Sequence, residues 1–559
     1  MKVSILITSL LSLVVAHPDA IWPKVAKYTA GNSTLIVGDN FKITANTSCD
    51  RLNRVIGRYQ NLVITEKWVP VVPTFRGSLD SRALPSISEL KVNVKDTNNE
   101  YDDKTDEQYT LTINDKGASI NAQTVYGAIR GLESFTQLVE WNKNHGLHFV
   151  THTPLTIEDA PKFSHRGLLL DSSRNFFPIK DIKRTIDALS YNKMNVLHWH
   201  LTDSHSWPFK SEKHPKLWQT GAIFPDQTYS FAEIAELIEY GLDRGVRIIP
   251  ELEAPAHSYA IGKAYPEVAV CMDDLEWDVV AAQPVSGQID PTNPKSVAIV
   301  NDLIDEFSKV FKDKYLHLSG DEVNYKCWNT SEKIRNYVRD NKVTLESLLN
   351  VFAEGMHKRA IENKKSIMVW EEIILQHNVT LPKDSLVQVW LGAEDTKKVI
   401  ERGYRVVASS YQYWYLDCGR GTWVGDAPSG GSWCDPFKHW QMVYTYDLLK
   451  NLNADQQKLV AGGEVTVWSE QVDEVNLDRF AWPRTSAAAE VLWSGNRDAS
   501  GKVVRTKPVV PRFNNFRFKM VSRGINADAT QPLWCVVNPG RCDSTSSLKQ
   551  WTLPYEPKA

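Results

Sequence analysis

Little net charge marks this chain. Across 559 residues, 64 lysines and arginines stand against 67 aspartates and glutamates, leaving −3 at pH 7. That balance gives no polycationic signal for nucleic acid or an anionic membrane surface. Long apolar runs are also missing once the N-terminus is passed, so no later stretch is suited to span a bilayer. No low-complexity segment interrupts the chain, and it shows no internal repeat beyond an alternation of strand and helix patterns. Cysteine numbers only seven. That usage fits an oxidising compartment, but spacing alone fixes no connectivity.

The length exceeds one ordinary domain, and 42% apolar residues supply a large core. Nineteen tryptophans are many; composition cannot separate core indoles from sugar-facing walls, but position can. Met1-Lys2, the apolar stretch Val3 to Val15 and Ala16-His17-Pro18 read as a secretory signal over residues 1–17. Sequons at Asn32, Asn46, Asn329 and Asn378 agree with export and glycosylation.

Residues 18–160 read as a small α+β unit. Leu90 to Val94 and Tyr109 to Ile113 alternate like half-buried strands, Asn114 to Gly117 signals a turn, and Tyr126 to Leu138 has helical spacing. Pro154 and Pro161 bracket the linker. In residues 161–559, strand-like runs at 166–171, 195–200, 246–251, 315–319, 366–370, 386–390, 405–409 and 465–469 alternate with helical patterns. One of these opens on Ser230-Phe-Ala-Glu233, which has capping-box spacing. Eight such alternations predict an α/β fold, a (β/α)8 TIM barrel preceded by the α+β unit. In such barrels the chemistry sits at the C-terminal strand ends. Asp171, Asp203, His257, Asp321-Glu322, Trp370, Trp390 and Trp468 to Glu470 all fall there. The tail after Asp543 reads as polar and frayed.

Leu316-His-Leu-Ser-Gly-Asp321-Glu322 is the most informative stretch. Two adjacent carboxylates at a strand end repel, so one tends to keep its proton. A neutral acid beside an ionised one is what glycosidic cleavage requires. A lone Asp-Glu pair is more often a solvated loop; what overturns that reading is the company the pair keeps. Arg166 to Arg174, His198 to Asp203, Pro250 to His257, Asp321-Glu322 with Cys327-Trp328, Val369-Trp370, Val389-Trp390, Trp414 to Asp417 and Val467 to Glu470 form one ordered series. Trp482-Pro483-Arg484 and Glu490 to Ser494 extend it. This series resembles the glycoside hydrolase family 20 β-N-acetylhexosaminidases over about residues 106 to 542.

The resemblance implies an exo-acting, retaining hydrolase of terminal β-linked GlcNAc or GalNAc. The substrate's own acetamido oxygen would attack the anomeric carbon and form an oxazolinium intermediate. Glu322 would be the general acid and base, and Asp321 would hold the acetamido N–H. Tyr415 would aim the acetamido oxygen, and Trp370, Trp390 and Trp468 would cage its methyl. Arg166, Asp417 and Glu470 would bind sugar hydroxyls, while Asp203 and His257 would orient Glu322. For a single tryptophan, a barrel-layer role is the better reading; three at strand ends favour the cage. For Arg166 alone, a strand-start ion pair would come first, and for His257 alone a satisfied core histidine. Strand alternation points Asp321 and Glu322 to opposite faces, so both serve one site only if the strand ends and the loop re-aims them. Ser319 stands where most members have glycine, and Glu253 where aspartate is usual. The resemblance also pairs Cys271 with Cys327, Cys418 with Cys434 and Cys535 with Cys542, leaving Cys49 over.

No cofactor is expected. His198 and His200 at i and i+2 lack the companion motif of a metal site. The expected partner is a β-N-acetylhexosaminide from chitin oligomers or glycoconjugates, with homodimerisation left open, and the expected address is extracellular, the alternative being lysosome or vacuole. A non-catalytic sugar-binding protein should have lost Asp321, Glu322 or Tyr415, and all are present. A TIM-barrel endochitinase should carry an Asp-x-x-Asp-x-Asp-x-Glu strand motif, which is absent.

Overall fold

The computed structural model describes residues 20–72 and 84–543. The signal-sequence reading of residues 1–17 and the tail beyond Asp543 lie outside them. The first unit is a six-stranded mixed sheet. The long strand Lys27–Ala45 pairs parallel to Ser86–Asp96 and antiparallel to Leu147–Asp159. Tyr109–Asn114 and Gly117–Thr124 form the hairpin that the Asn-Asp-Lys-Gly turn predicts. Helix Val125–Leu138 lies on this sheet, capped by Thr124, whose hydroxyl accepts from the Gly127 amide. Val125, Ile129, Leu132 and Phe135 share one core with Leu111, Ile113 and Ile120 of the sheet.

Eight parallel strands then close a barrel. In chain order they are His165–Asp171, Val196–His200, Arg247–Glu251, Tyr315–His317, Ser366–Trp370, Leu386–Val389, Arg405–Ala408 and Val460–Val467. All eight coincide with the predicted runs; the eighth starts earlier than expected. Gly462 and Gly463, weak strand formers, lie in that early part. At Gly462, φ is +147° and a Cβ would lie 1.8 Å from the His165 carbonyl oxygen, so only glycine lets the last strand close against the first. Ser230 and Glu233 form the predicted capping box at the start of helix Phe231–Leu242. Three disulfides join Cys271 to Cys327, Cys418 to Cys434 and Cys535 to Cys542, and Cys49 is free. No described helix is long and apolar enough to cross a membrane.

The two units are pinned at the N-terminal end of the barrel strands, and Arg166 is the pin. It is fully buried and donates twice to Glu107 of the first unit at 2.7 Å, and to the carbonyls of Lys193 and Phe163. Burial alone would raise the Glu107 carboxyl, but Arg166 and Arg130 overcome it and hold it at about 2. Lys193 makes a second buried bridge across the units, to Asp159 at 2.9 Å. Trp493, from helix Arg484–Ser494, packs into the core of the first unit. Breaking a buried pair from one side leaves an uncompensated charge. Arg166→Met should therefore cost about 3–5 kcal/mol, read as a fall in the urea midpoint of unfolding.

Candidate active site

Near the C-terminal end of the fourth barrel strand, three residues take positive φ. Hydrogen bonding to the fifth strand persists through Ser319, whose carbonyl accepts from the Trp370 amide at 3.0 Å. Then φ becomes +49° at Ser319, +90° at Gly320 and +53° at Glu322. A Cβ on Gly320 would lie 2.9 Å from the Ile373 side chain. This run of left-handed backbone breaks the strand's alternation and turns Asp321 and Glu322 into one cavity of about 560 Å³. Strain of this kind survives only where surrounding contacts enforce it. Here the Glu322 amide is held by Glu372 at 3.2 Å, and the Ser319 amide by His317 at 3.1 Å.

Of the adjacent pair Glu322 is the more accessible, with 26% of its side chain exposed against 13% for Asp321. His257 Nε2 meets Glu322 Oε2 at 3.0 Å, and on the other side His257 Nδ1 lies 3.4 Å from Asp203. Asp203 in turn meets His200 at 3.0 Å and Arg174 at 2.8 Å. Burial would lower His257, but Asp203 and Glu322 raise it well above the ordinary histidine value. A positive imidazole therefore faces the Glu322 carboxyl. Asp321 is pushed up to about 6: burial raises it, His257 opposes, and Glu322 and Glu251 add repulsion.

The aromatic wall is less uniform than the sequence suggests. Trp390 and Tyr415 stack at 5.8 Å, and Trp468 lies 6.2 Å from Tyr415 by ring centroids. All three line the cavity. Trp370 sits one layer deeper, 1% exposed, its indole N–H donated to Glu251 at 2.7 Å and its ring 6.2 Å from Trp468. Trp370 thus backs the wall instead of facing the cavity. Trp390 is held by Glu372, which accepts its indole N–H at 2.7 Å. Burial, reinforced by Asp321 and Glu322, raises Glu372 to about 8. Asp417 and Glu470 line the far side, and burial together with Glu470 raises Asp417 to about 8. His198 and His200 are ringed by carboxylates. His198 lies 2.9 Å from Glu464 and 3.2 Å from Glu251; His200 lies 2.6 Å from Glu251. His198, Glu251 and His317 come close enough together to hold a cation.

Arg166 requires correction as a sugar-binding residue. Its donors are consumed at the opposite end of the barrel by Glu107 and two carbonyls. Arg166 is not among the cavity's lining residues, whereas Arg174 of the same segment is, and Arg420 lines the outer loop. The two terminal nitrogens of Arg174 meet Asp171 at 3.2 Å and Asp203 at 2.8 Å, its guanidinium lies 5.1 Å from the Trp468 ring, and its buried Nε has no protein partner. Both arginines stand in the segment Arg166 to Arg174. Arg166 opens the strand and Arg174 follows its C-terminal end, where barrel chemistry resides. That positional rule, applied within the motif, selects Arg174. Sequence reasoning also missed Glu372, which no strand-end pattern singled out, and the partly exposed Trp423 and Trp433 on the loop closed by Cys418–Cys434.

Residues 163–496 match the family profile described as "Glycosyl hydrolase family 20, catalytic domain", and residues 21–138 match "beta-acetyl hexosaminidase like". Beta-hexosaminidase 1 of Coccidioides posadasii is 34% identical over 527 residues, covering 86% of this chain and 87% of that protein. The chitooligosaccharidolytic beta-N-acetylglucosaminidase of Ostrinia furnacalis is 34% identical over 491 residues, covering 84% and 80%. Among solved structures, the chitobiase of Flavobacterium johnsoniae superposes with a TM-score of 0.74 at 26% identity, covering 90% of this chain and 73% of that one. With the catalytic profile spanning the whole barrel and relatives matching nearly end to end, the chain belongs to glycosyl hydrolase family 20.

Proposed function

We infer that the protein is an exo-acting β-N-acetylhexosaminidase that releases terminal, non-reducing β-linked GlcNAc or GalNAc from chito-oligosaccharides or glycoconjugates, with retention. One observation carries this reading. Glu322, backed by His257, and the neighbouring Asp321 face one cavity whose wall is Trp390, Tyr415 and Trp468. Glu322 protonates the leaving oxygen and later takes a proton from water. Asp321 accepts the acetamido N–H and offsets positive charge as the oxazolinium forms. Tyr415 donates to the acetamido oxygen, and Trp390 and Trp468, with Trp370 behind them, confine the methyl. Arg174 takes the role first expected of Arg166. With Asp417 and Glu470 it binds hydroxyls at the non-reducing end and blocks extension of the chain there. The aromatic rim of Trp423 and Trp433 offers faces for the sugar on the other side of the cleaved bond. The three disulfides favour an extracellular address, with lysosome or vacuole as the alternative.

If the acetamido group is the nucleophile, stepwise fluorination of its methyl should slow the reaction progressively. A plain C2 hydroxyl should leave a substrate unreactive. A rate indifferent to fluorination, with a glycosyl label on an aspartate or glutamate by mass spectrometry, would assign the attack to the protein. Glu322→Gln should lower kcat on an unactivated disaccharide by about 10²–10⁴-fold while leaving GlcNAc affinity intact; half of wild-type turnover would remove it from the acid role. Arg174→Lys keeps the charge but loses the planar fork. KM should rise roughly tenfold or more, and an unchanged KM would place the hydroxyl contacts elsewhere.

A further inference from the structure

Ser319 is fully buried, and its Oγ lies 2.6 Å from Glu253 Oε2 and 2.6 Å from Asp321 Oδ1. A hydroxyl has one proton to donate. Two hydrogen bonds of this length between one hydroxyl and two carboxyl groups need a second proton, and one of the carboxyl groups must carry it. The surroundings say which. Glu253 is 2% exposed. Its other oxygen, Oε1, has no hydrogen-bond partner, and the nearest imidazole nitrogen, on His200, is 3.6 Å away and committed to Glu251. A buried carboxylate with an oxygen left bare is costly; a neutral carboxyl is far less so. Asp321 opens onto the cavity, and its second oxygen faces His257 at 3.8 Å.

We propose that Glu253 and Ser319 are positioning residues: a protonated Glu253 donates to Ser319 Oγ, which donates to Asp321 Oδ1, keeping Asp321 ionised and leaving Oδ2 free for the substrate's amide N–H. This rests on the reading of Asp321 given above. The groups facing Asp321 otherwise favour its neutral form. Glu322 and Glu251 repel its charge, Tyr415 and the protonated Glu372 supply none, and among these groups only His257 is cationic. The serine proton is thus the second favourable contact Asp321 has. Burial, then Asp321 and Glu251, raise Glu253 well above the ordinary glutamate value, which agrees with its holding the proton.

The acid limb of kcat/KM reports Asp321 in the free enzyme. Ser319→Gly suits the φ of +49° at that position, so the backbone is preserved. It should move the acid limb up by about one pH unit, costing about tenfold in kcat/KM on that limb, with the alkaline limb unmoved. Glu253→Gln keeps a neutral donor and should leave the limb in place and plateau kcat/KM within about threefold. Were Glu253 ionised, its neutralisation would relieve Asp321 and move the limb to lower pH; that shift overturns the relay. An unmoved limb in Ser319→Gly overturns it as well. Asp321→Asn separates the two readings. If the acid limb disappears with Asp321 but ignores Ser319, the relay alone is wrong. If the limb survives Asp321→Asn, the assignment of Asp321 fails and the relay with it.

Discussion

A chain of imidazoles and carboxylates running up the inside of the barrel underlies everything at its mouth. His165 meets Glu464 at 2.5 Å, Glu464 meets His198, His198 lies 3.2 Å from Glu251, and Glu251 meets His200. His200 meets Asp203, Asp203 faces His257, and His257 meets Glu322. Every side chain in this series but the last is buried, so each charge depends on its neighbour. Burial disfavours the charge on every carboxylate, yet the three that meet imidazoles at hydrogen-bond distance, Glu464, Glu251 and Asp203, all lie below their ordinary values. Glu253, Glu372 and Asp417 lack such a partner and are raised. One cavity thus contains ionised and neutral carboxyl groups side by side, the division that acid–base chemistry on a glycosidic bond needs.

That division also bears on the strain of the loop that carries Asp321 and Glu322. Adjacent carboxylates on a regular strand would point apart and could not share a site. Positive φ at Ser319, Gly320 and Glu322 brings them together. The contacts that hold the loop come from neutral or weakly charged groups: Glu372 on the Glu322 amide, His317 on the Ser319 amide, and the Ser319 hydroxyl on Asp321. A further full negative charge behind the loop would disfavour the ionised form of Asp321 still more.

Much of this was legible in the sequence, for identifiable reasons. All eight barrel strands were visible because parallel strands, buried on both faces, read as short continuous apolar runs. The strand-end residues followed, since the fold places chemistry at one end. What sequence could not show was depth along a strand and partner choice. Trp370 and Trp390 both close strand-like runs followed by acidic or apolar loops, but the indole of Trp370 points inward to Glu251 while that of Trp390 lines the cavity. Arg166 stands in a motif that also contains Arg174, which does line the cavity. The actual partner of Arg166, Glu107, lies 59 positions earlier in another unit, beyond any local pattern. The departures at Ser319 and Glu253 stood out singly, and only the fold shows that they touch.

The first unit acquires a mechanical role from the same geometry. None of its described residues lines the cavity, yet Glu107 and Asp159 receive Arg166 and Lys193 from beneath the barrel. Both basic residues would otherwise be buried charges at the N-terminal end of the first two strands. Those strands end, at the other face, in Asp171 and His200, which hold Arg174 and Asp203. Arg174 and Asp203 in turn contact each other, and Asp203 orients the imidazole behind Glu322. The barrel's core is close-packed and transmits displacement instead of absorbing it. Neutralising charge at the base of these two strands is therefore a condition for their upper ends to be positioned at all, which gives a unit without chemistry a reason to stay attached to the one that has it.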